Sequence, residues 1–244
     1  MRGNNETMKT WPWNAIVAEA VGTFLFFFVG MGAAAAFFGG AGLLGVALAH
    51  GLALIVLVSA LGAVSGGHFN PAVSFALWIA GRLEGRRAIA YVIAQLLGGV
   101  LAAVALAYVL GSTQSIASTT PALLQAGSDI PAIPSVDVVR GIVIEAILTA
   151  VLLAAVFGTV VDPRAPRLGG LAIGVAVAAD ILMGGALTGA AMNPARWFAP
   201  ALVTGQFDNA VVWVIGPLLG AAAVAALWRI LFLPEADAQT GADI

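Results

Sequence analysis

The sequence predicts an all-α membrane protein with six transmembrane helices and two re-entrant half-helices, arranged as an inverted repeat. Three observations carry that prediction. The 244 residues are 61% hydrophobic and only 9% charged, with a mean hydropathy of +1.03, whereas soluble domains carry about 25% charged residues. Six apolar runs are long enough to cross a hydrocarbon core about 30 Å thick. One tripeptide occurs twice, as Asn70-Pro71-Ala72 and Asn193-Pro194-Ala195, each time heading an apolar run too short to cross.

In chain order, residues 1–13 carry Arg2, Glu6 and Lys9 without a signal-peptide cleavage pattern, so no removable leader is expected. The six crossing runs are 13–38, 41–64, 88–110, 136–161, 168–186 and 210–233. The first half-helix segment lies between the second and third runs, and the second between the fifth and sixth. Residues 111–135, rich in Ser, Thr and Pro, are expected to form an external, solvent-facing loop joining two halves, 13–110 and 136–233, of a single domain. The tail 234–244 is polar and expected to be disordered.

Each tripeptide reads as a helix start. Proline suits the first helical position, where its missing N–H would have had no partner. The preceding asparagine caps the helix by accepting a backbone N–H on its side-chain oxygen. The runs that follow, from Pro71 and from Pro194, hold about ten residues. At 1.5 Å per residue they rise about 15 Å, half the thickness of the core. Their positive N-terminal ends therefore stop near the midplane.

The halves repeat. Glu19, in Ala18-Glu19-Ala20, precedes Asn70 by 51 residues, and Glu145, in Ile144-Glu145-Ala146, precedes Asn193 by 48. Gln95-Leu96-Leu97-Gly98 parallels Pro217-Leu218-Leu219-Gly220. Three crossings per half are an odd number, so the second half is inverted relative to the first, and a ligand path belongs at their interface near the midplane. Arg82, Arg86, Arg87, Arg164 and Arg167 fall on the side of the N-terminus, while 111–135 has no Lys or Arg. Both termini are thus expected to be cytoplasmic, with the plasma (inner) membrane as the expected location.

Several function classes have little to work with. No cysteine is present, which removes disulfides, thiolate metal sites and cysteine nucleophiles. Two histidines supply neither a metal cluster nor a convincing nucleophile–base pair. No enzyme activity, metal or cofactor is expected, and no basic patch suggests nucleic acid. A secondary transporter also uses inverted repeats and half-helices. Glu19 and Glu145 fit either a proton relay or a symmetric pair of acceptors holding the loops. His50 fits either the path or an interhelical hydrogen bond. His68 is expected to shape its loop, and Asp180 to face either a helix or the outer vestibule.

Over nearly its whole length the sequence resembles the aquaporin (major intrinsic protein) family. The likeness rests on Ser65-Gly66-Gly67-His68-Phe69-Asn70-Pro71-Ala72-Val73, Met192-Asn193-Pro194-Ala195-Arg196, the paired glutamates and Gly216-Pro217. It implies a pore in each subunit of a homotetramer in the lipid bilayer. Asn70 and Asn193 would donate to passing water, with backbone carbonyls of Gly67, His68, Phe69, Gly189, Ala190 and Ala191 as acceptors. Half-helix dipoles and an arginine would exclude protons and other ions. Counting along the helices, the resemblance implies an outer constriction of His50, Ile181, Ala190 and Arg196. That set looks like the plant tonoplast-type members, which pass ammonia, urea or hydrogen peroxide besides water. Glycerol channels carry Asp and Lys where this sequence has Trp197 and Ala201, so glycerol is not the expected solute. Trp197 replaces a small residue and leaves the pore width open.

Overall fold

A computed structural model of the chain describes residues 12–36, 42–125, 135–166, 168 and 170–232. The expectations about Arg2, Glu6, Lys9, Arg167 and the tail 234–244 lie outside these residues. The chain forms α1 (Trp13–Ala36), α2 (Gly42–Ser65), α3 (Pro71–Ile79), α4 (Gly85–Val109), α5 (Gln114–Ala117), α6 (Val138–Val156), α7 (Gly170–Thr188), α8 (Pro194–Thr204) and α9 (Val211–Leu227). No strand occurs among the described residues. Six helices are long and apolar enough to cross a membrane, and α3 and α8, of 9 and 11 residues, are the two headed by Asn-Pro-Ala. The expected order of elements is the observed order.

The boundaries moved for local reasons. The third crossing starts at Gly85, three residues before the apolar run, because Arg86 and Arg87 sit in its first turn without interrupting the backbone. The fourth starts at Val138, where the Asp137 carboxylate accepts the Arg140 N–H at 2.9 Å as a cap. The fourth and sixth crossings end in π-type turns, Phe157–Val161 and Trp228–Phe232. The fifth extends to Thr188. The connection after α6 is pinned by Arg164, which pairs with Asp162 at 2.6 Å and donates to the Phe232 carbonyl. The Arg164 guanidinium holds the Asp162 carboxyl down at about 2.

The packing follows the repeat. Helix α1 packs on α4 as α6 packs on α9, and α2 packs on α7 across the halves. Each half-helix crosses over: α3 packs on α9, and α8 on α4. Apolar helices gain little from burying Leu against Leu when lipid is equally apolar, so close backbone approach through small residues does the joining. A Cβ at Gly98 would strike the Ala20 carbonyl oxygen, and one at Gly220 would strike that of Ala146. These equivalent glycines set the α1–α4 and α6–α9 distances. The outward faces stay apolar, with Val17, Leu52, Leu97, Ile147, Val175 and Leu219 all exposed, as a lipid-facing surface requires.

The described part of the linker, residues 111–125, does not simply face solvent. Ile116, Thr119 and Leu123 are buried, and Leu124 N–H donates to the Leu187 carbonyl at 2.9 Å. This part of the linker folds down over α7 and α8, which gives Arg196 an acceptor.

Candidate functional site

The two Asn-Pro-Ala segments meet head to head between the halves. Asn70 caps α3 by accepting the Ala72 N–H at 2.8 Å. Asn193 caps α8 by accepting from Ala195 at 3.0 Å and Arg196 at 3.3 Å. Pro71 and Pro194 occupy the first turns, with Ala72 and Ala195 behind them. Each asparagine then reaches across. Asn70 Nδ2 donates to the Met192 carbonyl at 2.9 Å, and Asn193 Nδ2 donates to the Phe69 carbonyl at 3.0 Å. An amide nitrogen carries two N–H groups, so each asparagine keeps one for another acceptor.

The loops ahead of the caps share one backbone trace. Positive φ occurs at Gly66 (95°), Gly67 (64°) and Phe69 (48°) in the first, and at Gly189 (82°), Ala190 (44°) and Met192 (52°) in the second. Left-handed conformations at non-glycine residues cost about 1–2 kcal/mol each, so something must hold them. Glu19 accepts from Ser65 Oγ at 2.6 Å, His68 N at 2.9 Å, Phe69 N at 2.8 Å and Gln95 Nε2 at 2.7 Å. Glu145 accepts from Thr188 Oγ1 at 2.7 Å, Ala191 N at 3.0 Å and Met192 N at 2.7 Å. The Ser65 and Thr188 hydroxyls in turn accept Gly67 N at 3.1 Å and Ala190 N at 3.2 Å. Tyr91 OH donates to the Ser65 carbonyl at 2.8 Å, and Trp213 Nε1 to that of Thr188 at 3.0 Å.

One cavity of about 730 Å³ runs past both caps. Its lining includes Asn70, Asn193, His50, Ile181, Ala190, Arg196, Gly67, His68, Gly189 and Ala191, so it brings together every expected path residue except Phe69. Phe69 lies outside the lining, with its buried ring packed on Gly22, while its carbonyl accepts from Asn193. Along α7 the lining extends from Ile173 to Gly185, a rise of about 18 Å. The cavity therefore passes through much of the helix bundle rather than denting its surface.

Around the expected constriction, His50 Nδ1 lies 2.9 Å from the Val46 carbonyl, and Arg196 Nε lies 3.3 Å from His50 Nε2. A carbonyl accepts only, so Nδ1 carries the proton and Nε2 accepts from the arginine. Arg196 Nη1 also donates to the Thr119 carbonyl at 2.9 Å. The guanidinium is thus held by two acceptors of unrelated elements while it lines the cavity. Phe26 meets the His50 ring edge-on at 5.8 Å. Trp197 points away: it is buried, stacks on Trp213 at 5.9 Å and 10°, and is absent from the lining. Asp180 is buried and also outside the lining, so it faces protein rather than the vestibule. His68 Nδ1 lies 3.0 Å from Ser74 Oγ.

Sequence reasoning missed Ser65 and Thr188, although both stand five residues before their asparagine, a spacing that marks them. It missed Met192, the counterpart of Phe69, for the same reason. Thr119, Tyr91, Gln95 and Trp213 carry no comparable signal.

Residues 6–228 match the family model described as Major intrinsic protein. The chain is 42% identical over 232 residues to Aquaporin TIP4-4 of Zea mays, covering 91% of this chain and 87% of that protein. It is also 42% identical over 228 residues to the lens fiber major intrinsic protein of Gallus gallus, covering 92% and 83%. An X-ray structure of the aquaglyceroporin from Plasmodium falciparum superposes with a TM-score of 0.74 at 22% identity, covering 93% of this chain and 99% of that one. That last likeness concerns the fold.

Proposed function

The chain belongs to the major intrinsic protein family, and from that membership we propose that it is a passive transmembrane channel for water and small neutral solutes such as ammonia, urea and hydrogen peroxide. The observation that carries the reading is the crossed pair of asparagines in the wall of one long cavity. Each has one N–H committed to the opposite loop and one remaining for a passing oxygen. A water molecule between them meets two donors and few acceptors, a site it enters readily and leaves readily. Both half-helix ends present positive dipole there, and Arg196 adds a fixed cation. Cations, including a relayed proton, are opposed at the same place where neutral oxygen donors and acceptors pass.

Family membership supports a transport protein rather than an enzyme. His50, Ile181, Ala190 and Arg196 form the selective constriction in this reading. Trp197 stacked outside the lining supports the wider solute range over a strictly water-selective pore. Trp197 and Ala201, in place of an acid and a lysine, argue against glycerol as the main solute. The chain is an integral multi-pass membrane protein. Its basic residues support cytoplasmic termini and its family supports a homotetramer, whereas the plasma membrane in particular is not supported.

Stopped-flow light scattering on proteoliposomes tests the proposal. Fast osmotic water flux with urea or methylammonium uptake, and little glycerol uptake, is the expected result. Fast water flux alone sinks the wider solute range. Water flux no faster than in empty liposomes sinks the channel.

A further inference from the structure

A second guanidinium lines the same cavity, at the end away from Arg196. Arg82 follows α3, its backbone N–H donating to the Leu77 carbonyl at 2.8 Å. Its side chain is in the lining, the residue is 9% exposed, and Nη2 is buried with no hydrogen-bond partner among the described residues. The location follows from its neighbours. The Ile79 carbonyl accepts from Arg229 at 2.9 Å, and the adjacent Trp228 ring meets Phe157 at 5.9 Å. The end of α3 therefore shares one end of the bundle with the last turns of α6. There Leu77, Leu83, Val156, Val160 and Val161 add apolar surface to the wall.

A buried guanidinium without an acceptor is costly. Several other charged side chains at this end are committed elsewhere. Asp162 is paired with Arg164, Arg87 donates to Tyr91 OH at 2.7 and 2.9 Å, and Arg229 is on Ile79. The described arginines Arg82, Arg87 and Arg229 share this end, and guanidinium groups attract anions. These five neighbours add no second charged group for a highly charged oxyanion. A planar carboxylate on a short hydrocarbon body fits both features, because the guanidinium fork takes it through two parallel N–H···O bonds while the body meets Leu and Val.

We propose that Arg82 and its apolar surroundings form a binding site for a small organic monocarboxylate at the mouth of the conduit opposite Arg196, where the bound anion obstructs the path. The obstruction rests on the channel reading; the binding does not. The carboxylate is that of a dissolved small molecule.

The test is isothermal calorimetry of butyrate on the purified full-length protein, beside osmotic water flux in proteoliposomes. Wild type binds one butyrate per chain and does not bind the neutral isostere butyramide. Arg82→Gln loses at least tenfold in affinity. Arg82→Lys, which keeps the charge without the fork, folds as a control and loses affinity to an intermediate degree. Butyrate lowers wild-type water flux with the midpoint found by calorimetry, and the fractional inhibition disappears in Arg82→Gln. No butyrate binding to wild type, equal binding of butyramide, or unchanged affinity in both Arg82 variants overturns the proposal. Butyrate binding without water flux in wild type overturns the channel reading alone.

Discussion

The loop before α3 and the loop before α8 have the same backbone, yet different chemistry stands behind them. Both put left-handed residues at matching positions, both hang from a buried glutamate, and both receive an aromatic donor on the carbonyl at their head. Behind the first, Gln95 Nε2 bridges Glu19 and Ser74 Oγ, at 2.7 and 3.0 Å, and Ser74 contacts His68. Behind the second, the corresponding positions are Pro217, Trp197 and Ala191, and Trp197 stacks on Trp213 with Phe207 against its edge. One half supports its loop with a polar network and the other with aromatic packing. The loop geometry is what both halves share; the means of holding it differs between them.

Removing a glutamate carboxylate is expected to be the largest disturbance. Glu19→Ala and Glu145→Ala each strand two buried backbone N–H groups, at about 1–3 kcal/mol apiece. Ser65, Gln95 and Thr188 are side chains that can turn to other acceptors. The two variants should therefore lose similar stability, roughly 2–6 kcal/mol, read from thermal midpoints followed by size-exclusion retention in detergent. A much larger loss for Glu19→Ala would mean that its network acts as a unit, and the comparison would have to be redrawn.

The next contrast separates the halves. Trp197→Ala should cost about 3–5 kcal/mol through lost packing and an unfilled cavity, while Ser74→Ala at the corresponding place costs about 1 kcal/mol through lost hydrogen bonds. Equal losses would refute the assignment of packing to one half and polar bonds to the other.

The smallest effects concern the aromatic donors. Tyr91→Phe and Trp213→Phe each delete one hydrogen bond to a loop carbonyl, worth about 1 kcal/mol. Tyr91→Phe also frees Arg87, whose guanidinium lies 5.2 Å from the ring centre. A midpoint shift clearly larger for Tyr91→Phe would show that this arginine, which has no counterpart in the second half, adds to the support of the first.

The local parts of this design were readable from the residues alone. Crossing runs follow from hydropathy, and Asn-Pro at a helix head follows from capping chemistry, because both depend on neighbours in sequence. The equivalence of Glu19 and Glu145 was readable from nearly equal spacing to the asparagines. What the sequence concealed is contact at long separation. Nothing near Arg196 announces that Thr119, 77 positions away, supplies its acceptor, so 111–135 read as an ordinary external loop from its Ser, Thr and Pro content. Trp197 read as a threat to pore width because its neighbour in sequence is Arg196. Only the stacking surface of Trp213 sends it the other way. Phe69 read as a path residue by position, and nothing near it announces that its carbonyl accepts from a partner 124 residues later.

The crossed asparagine bonds also impose an order on the birth of the molecule. Synthesis runs from the N-terminus, so Asn70 enters the bilayer before Met192, 122 residues downstream, has been made. Until then the first half-helix carries a capping amide and an exposed Phe69 carbonyl that the lipid interior cannot satisfy. The first half can place its three crossings early, but its short helix has no reason to settle at the midplane until the second arrives to share it. Closure of the conduit is therefore a late, long-range event, and the nascent chain has no finished pore through which the membrane would leak.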